Sequence, residues 1–266
     1  MTLIPALIFF ALGLTIGSFL NVVIYRYNTE RHFGGRSACL SCFKKLSWYE
    51  LFPVLSFVWL RGRCRSCQAR ISAVYPVVEI ITGLIFAMLF LKLENVFFAD
   101  TLVFAIAFAY FATMFSILLV IAVYDLRHKI IPDMMVLLFG ILAFAGLFLF
   151  GNADAAPIFY PHLPDPSSFM AGLVVSAPFA LIWLLSRGAW MGLGDAKLAV
   201  GLGWLLGIAG IFSAAVLAFW LGAIVGIFLL IFSKKYGAKS EIPFAPFLVL
   251  ASFLVFIFQI NVFPIF

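Results

Sequence analysis

The chain has 266 residues, of which 65% are hydrophobic and 11% charged, with a formal net charge of +6 and a pI of about 9.3. A soluble domain carries roughly a quarter charged residues and needs more polar surface than this to cover its core. The composition excludes a soluble enzyme and specifies an all-α polytopic membrane protein. The positive balance is read as membrane orientation rather than nucleic-acid binding.

Apolar stretches long enough to cross a bilayer predict eight helices, at about 3–25, 76–93, 102–124, 133–150, 169–187, 196–209, 211–232 and 244–262. The first lacks a positive n-region and a cleavage pattern, so it reads as a retained helix rather than a removed signal peptide. The sixth is the most diluted, by Gly201, Gly203, Gly207 and Gly210.

With eight crossings both termini share a side. Arg26, Arg31, Arg36, Lys44, Lys45, Arg61, Arg63, Arg65 and Arg70 follow the first span. Arg127, Lys129, Arg187, Lys197, Lys234, Lys235 and Lys239 then fall on the same face. That face collects sixteen of the seventeen lysines and arginines, leaving Lys92 opposite with Glu94, Asp100, Asp154 and Asp165. The basic face is therefore the cytoplasmic one, and both termini lie on the other side. The chain divides into a first membrane helix at 1–25, a cytoplasmic loop at 26–75 and a transmembrane core at 76–266.

All four cysteines sit in that loop, as Cys39-Leu-Ser-Cys42 and Cys64-Arg-Ser-Cys67. Two CxxC knuckles aim four thiolates at one ion and predict a closed, structural zinc site, whose binding energy would fold a loop too short for its own core. Two disulfides or four free thiols are the competing readings, the first disfavoured in a reducing compartment. Between the knuckles, Trp48 to Leu60 is apolar but only about a dozen residues long, which suits an interfacial or packed helix rather than a span. Trp48, Tyr49 and Trp59 fit the headgroup level.

Acidic residues near apolar spans are costly and are functional candidates. Asp125 ends the third span, and Asp195 follows the fifth in Gly192-Leu193-Gly194-Asp195. Both emerge on the basic face, a result that used no aspartate. Two carboxylates at one depth can share a proton and activate water against an amide carbonyl. Gly192 and Gly194 would let an extended backbone approach the carboxylate. The alternative is an Asp195 helix cap and an interfacial Asp125 paired with Arg127 or Lys129.

Ordered motifs run along most of the chain. They are Gly17-Ser18-Phe19-Leu20-Asn21-Val22-Val23-Ile24-Tyr25-Arg26, the two CxxC pairs, Leu46-Ser47-Trp48-Tyr49-Glu50, and Leu60-Arg61-Gly62-Arg63-Cys64. Tyr75-Pro76-Val77-Val78-Glu79, Asp125 with Ile131-Pro132-Asp133, Gly192-Leu193-Gly194-Asp195-Ala196-Lys197 and Ile242-Pro243-Phe244-Ala245-Pro246-Phe247 complete the set. In these the chain resembles bacterial prepilin peptidases, the type IV leader peptidases. The resemblance implies that Asp125 and Asp195 are the catalytic pair, with Gly192, Gly194 and Lys197 in support. It implies removal of a basic leader from type IV prepilins or type II secretion pseudopilins at the inner membrane, after a glycine. The four-cysteine form implies a second activity, N-methylation of the new N-terminus with S-adenosylmethionine, and Gly62 matches a glycine the family associates with it.

Asp195 precedes a helix and Asp125 lies at a helix C-terminus, so the helix dipoles would make Asp195 the base and Asp125 the protonated acid. Glu79 and Asp133 form a second tier: Glu79 as a hydrogen-bond partner of a neighbouring helix, Asp133 as a cap after Pro132. Ser18 and Asn21 supply interhelical hydrogen bonds, and His32, His128 and His162 are too scattered for catalysis. A proton-carrying transporter, or a non-catalytic scaffold whose zinc loop docks a partner, are readings from other classes.

Overall fold

The computed structural model describes residues 2–29, 34–153, 156–232, 237 and 241–262. Of the residues used above to orient the chain, Arg31, Asp154, Lys234, Lys235 and Lys239 lie outside the described residues, as does His32. The chain forms two compact units, Met1–Glu94 and Asn95–Phe266.

In the first unit, α1 (Leu3–Arg26) packs along α3 (Val74–Lys92). Gly13 and Gly17, one turn apart, let the backbones touch. A Cβ at Gly13 would lie 2.6 Å from the Thr82 carbonyl oxygen, and one at Gly17 would lie 2.7 Å from Glu79 Cα. Such small-residue contacts replace the hydrophobic drive that lipid does not supply. Near the exit of the pair, Asn21 donates to the Tyr75 carbonyl at 3.0 Å, and the Tyr25 and Tyr75 rings stack 4.5 Å apart. The linking segment folds into two knuckles, a 3-10 turn at Trp48–Leu51 and a short α2 (Leu55–Trp59). Ser47 and Glu50 close a capping box on the 3-10 turn, with the Ser47 N–H donating to Glu50 at 2.7 Å.

A short α4 (Glu94–Ala99) leads into the second unit. There α5 (Thr101–His128) starts on an Asp100 cap that accepts from Leu102 and Val103 N–H. Every residue from Leu118 to Asp125 is buried, so α5 is enclosed on all sides over these two turns. It packs on α6 (Asp133–Leu149) and on α9 (Ala245–Phe258). A two-stranded hairpin, Phe150–Ala153 with Ala156–Phe159, follows α6 and adds a small antiparallel element to the all-helical expectation. Then come α7 (Pro166–Ser186), with Pro166 in its first turn, and α8 (Leu193–Phe232), which packs on α6, α7 and α9.

Among the described residues, five helices (α1, α3, α5, α7 and α8) are long and apolar enough to cross a membrane, and α6 and α9 are shorter apolar helices. The expected sixth and seventh spans form the single α8, interrupted at Gly207 (φ 72°, ψ 175°) rather than after residue 209. That backbone conformation suits glycine and interrupts the helical ladder without any polar residue to announce it.

Candidate active site

α5 continues one turn beyond Asp125, to His128. Lys129 caps it in the left-handed conformation (φ 53°), donating its N–H to the Asp125 carbonyl at 2.7 Å. Asp125 thus lies inside the helix rather than at its end. Its side chain is 5% exposed and faces the backbone N–H of Ala245, the first residue of α9. Asp195 lies in the first turn of α8, 6% exposed, with its carboxylate beside the Gly192 N–H. The Asp125 and Asp195 carboxylates are within electrostatic reach of each other. Asp195 Oδ1 is buried with no hydrogen-bond partner among the described residues. Leaving such an atom unmet costs about 1–3 kcal/mol, so it calls for a partner beyond the described residues.

The dipole argument for base and acid loses its premise here. Asp125 meets the N-terminal amide of α9 as well as the C-terminal turn of its own helix, so both carboxylates face the positive end of a helix. Ala245 was not singled out from the sequence. Its available signal was the proline pair, Pro243 and Pro246, bracketing a helix start.

The two glycines have different surroundings. A Cβ at Gly194 would lie 2.8 Å from Ile131 Cβ, so Gly194 lets α8 begin directly on the loop between α5 and α6. A Cβ at Gly192 would sit in ordinary contact, 3.7 Å from Asp195 Oδ2. Asp133 is not a helix cap: Pro132 occupies that position, and Asp133 pairs with Lys197 at 2.8 Å. Lys197, two residues after Asp195, therefore ties the start of α8 to the start of α6. Lys129 approaches Glu241 at 3.9 Å rather than Asp125.

Glu79 is buried in the first unit and accepts the Val54 N–H at 2.8 Å and a hydrogen bond from Ser18. It holds a strained partner: Val54 has φ 59° and ψ −49°, a conformation a β-branched residue rarely adopts. Asn21 Oδ1 is buried with no hydrogen-bond partner among the described residues. His128 lies against the Tyr124 ring, and His162 against the Tyr160 carbonyl.

The four cysteine sulfurs lie within 4.8 Å of one another and could hold a metal ion. Both knuckles have the same local geometry. Cys39 N–H donates to the Lys44 carbonyl and Cys64 N–H to the Ala69 carbonyl, with Phe43 (φ 58°) and Gln68 (φ 57°) at the matching left-handed position. Cys39 Sγ and Cys67 Sγ are 3.7 Å apart, with no disulfide. The N–H groups of Cys42 and Ser41 pull the Cys39 thiol down to about 6. Cys67 goes up to about 11, because desolvation and the neighbouring sulfurs outweigh the Ala69 N–H that favours its thiolate. A cation among them would relieve that crowding of negative charge. Gly62 turns the chain between α2 and the second knuckle with φ 66°, donating to the Phe57 carbonyl and accepting from Ile71 N–H.

Residues 11–93 match the bacterial peptidase A24 N-terminal domain, and residues 112–227 match the type IV leader peptidase family. A prepilin leader peptidase/N-methyltransferase from Myxococcus xanthus is 34% identical, over 89% of this chain and 66% of the relative. Proteins of the same name from Aeromonas hydrophila (33% identical; 92% of this chain, 88% of the relative) and Bacillus subtilis (30%; 94% and 93%) match over nearly their full lengths. This chain thus spans just under two thirds of the Myxococcus relative and most of the other two. No solved structure matches significantly. With its apolar helices, its four-cysteine cluster and this similarity along the length of the chain, the protein belongs to the type IV leader peptidase family.

Proposed function

We propose that this chain is an aspartic endopeptidase of the inner membrane that removes the basic leader from type IV prepilins or pseudopilins at the cytoplasmic face, and then methylates the new N-terminus. The observation that carries the peptidase reading is the pairing of Asp125 and Asp195, both buried and within electrostatic reach, in an otherwise apolar frame. Two adjacent carboxylates at low dielectric share one proton. The ionised one takes a proton from a water held between them, and that water attacks the scissile carbonyl carbon. The protonated one donates to the carbonyl oxygen. Collapse of the tetrahedral intermediate breaks the C–N bond, and the proton taken from water passes to the leaving amine. Asp195 Oδ1, with no hydrogen-bond partner among the described residues, is the atom best suited to hold the water. Gly192 beside it leaves room for an extended substrate. Lys197 and Asp133 support the site by joining α8 to α6.

The sidedness reading stands on the basic residues and eight crossings, with α6, α9 and the two arms of α8 counted as spans. On it, the 26–75 loop, Asp125 and Asp195 face the cytoplasm and both termini face away, with 76–266 as the peptidase core. Lipid and prepilin are the partners.

The cysteine cluster fits zinc: a Zn–S bond of about 2.3 Å in a tetrahedron separates sulfurs by about 3.8 Å. Cys39, Cys42, Cys64 and Cys67 would hold it, closing the loop as a structural unit. Methyl transfer from S-adenosylmethionine rests on the relatives' names and on the four-cysteine form. Gly62, which the resemblance associates with methylation, sits in a positive-φ turn before the second knuckle.

The test is incubation of the purified chain with a prepilin, with and without S-adenosylmethionine, followed by mass spectrometry. Cleavage is expected to disappear in Asp125→Asn and in Asp195→Asn, and a methyl group to appear only with the donor. Cleavage surviving either substitution would overturn the dyad.

A further inference from the structure

The segment between α1 and α3 carries an apolar stripe that none of the helices of its own unit covers. Trp48 is 72% exposed and Trp59 is 89% exposed, and Phe52, Leu55 and Val58 lie exposed between them. Leu55, Val58 and Trp59 share one side of α2, whereas Phe57 turns inward onto Gly62. In water such a stripe would be a liability.

Its height relative to the bilayer follows from a single buried contact. Val54, immediately before α2, donates its N–H to Glu79 at 2.8 Å, and Glu79 is five residues into α3, about 7–8 Å along a helix. α3 has 19 residues and is about 28 Å long, no longer than a hydrocarbon core of about 30 Å. Its first turns therefore lie at the membrane boundary, and α2 starts beside them. The Glu79 acceptor meets the N–H of the strained Val54 and so ties the start of α2 to α3.

The same segment is strongly basic. Arg36, Lys44, Lys45, Arg61, Arg63 and Arg65 are all exposed, while Glu50 is engaged in the capping box and Glu30 is the segment's other acid. Exposed aromatic and aliphatic groups beside clustered cations, at headgroup depth, match an anionic lipid surface. A basic leader peptide would be repelled by these cations.

We propose that the 3-10 turn and α2 form an interfacial anchor that inserts Trp48, Leu55, Val58 and Trp59 among anionic phospholipids and seats the four-cysteine segment on the cytoplasmic leaflet. This rests on the membrane and sidedness readings above, not on the aspartyl chemistry.

The test uses the full chain in vesicles of phosphatidylcholine with or without phosphatidylglycerol. The emission of Trp48 and Trp59 is obtained as the difference between the wild type and a Trp48→Phe, Trp59→Phe variant, which keeps the stripe apolar. With phosphatidylglycerol present, this emission is expected to be blue-shifted, shielded from acrylamide and largely lost when the acyl chains carry bromine near the headgroup. High salt should partly reverse the effect. Emission open to acrylamide and indifferent to bromine would place the stripe in water and overturn the anchor. Emission shielded from both would mean that protein covers it, and would overturn it equally. Bromine quenching that is equal with and without phosphatidylglycerol and unaffected by salt would remove the anionic-lipid claim. An Asp195→Asn chain should give the same quenching, so failure of the peptidase reading and failure of the anchor are separately visible.

Discussion

Replacing Gly194 by alanine tests how tightly the aspartyl pair is positioned. The added Cβ would lie 2.8 Å from Ile131 Cβ, several tenths of an ångström inside ordinary contact. Ile131 Cβ is attached to the backbone of the loop after α5, so no side-chain rotation relieves the overlap. Either that loop or the start of α8 must move, and overpacking of this kind costs about 1–3 kcal/mol. Asp195 is the next residue, so the displacement falls on the carboxylate that the proposed mechanism pairs with Asp125. If the strain is expressed in the barrier, at about 1.4 kcal/mol per factor of ten, cleavage slows by roughly 5- to 140-fold. Gly192→Ala is the control, since its Cβ would stand 3.7 Å from Asp195 Oδ2 and require no movement. Its cost should appear mainly as a raised KM, from bulk in the substrate path, with kcat reduced by less than about tenfold. The assay is the initial rate of prepilin cleavage in detergent or nanodiscs, with thermal unfolding measured in parallel. A Gly194→Ala chain that cleaves at the wild-type rate would refute the argument. So would a Gly192→Ala chain more severely slowed in kcat than Gly194→Ala.

The Lys197–Asp133 pair is exposed on both sides, so a double-mutant cycle with alanines should give a coupling of only about 0.2–1 kcal/mol, read as a few-fold change in cleavage rate. A coupling of several kcal/mol would make Lys197 part of the chemistry instead. A Cys39→Ser, Cys64→Ser chain should lose bound zinc by elemental analysis and expose residues 34–73 to limited proteolysis, while helicity by circular dichroism stays nearly unchanged. Unchanged zinc content would count against the four-thiolate site. Glu79→Ala leaves the Val54 N–H without its acceptor and should speed hydrogen exchange at Val54 and through α2. Glu79→Gln, which keeps an acceptor, should largely restore protection; equal exchange in both variants would remove Glu79 from that role.

Much of the fold was legible because its signals are local. Long apolar runs identify membrane helices whatever they pack against, and the two CxxC spacings contain the geometry of a knuckle within six residues. The aspartates stood out because charge in an apolar setting is expensive wherever it occurs. The break in α8 was harder to locate, since glycines are scattered through that stretch and only the backbone reveals that Gly207 takes an extended, positive-φ conformation open essentially to glycine. The hairpin after α6 was missed because its strands are only four residues each.

From sequence alone, then, came the membrane class, the cysteine cluster and the two carboxylates to examine. Tertiary structure decided what surrounds them. Ala245 is 120 residues from Asp125, Ile131 is 63 from Gly194, and Glu79 is 25 from Val54. These pairs form only when separate helices pack, and no local periodicity or propensity encodes which partners meet. The Ala245 amide removes the simple dipole assignment of acid and base, and the Ile131 contact gives Gly194 a packing role. The two aspartates could be named from the chain, but their environment is a property of the packed helices.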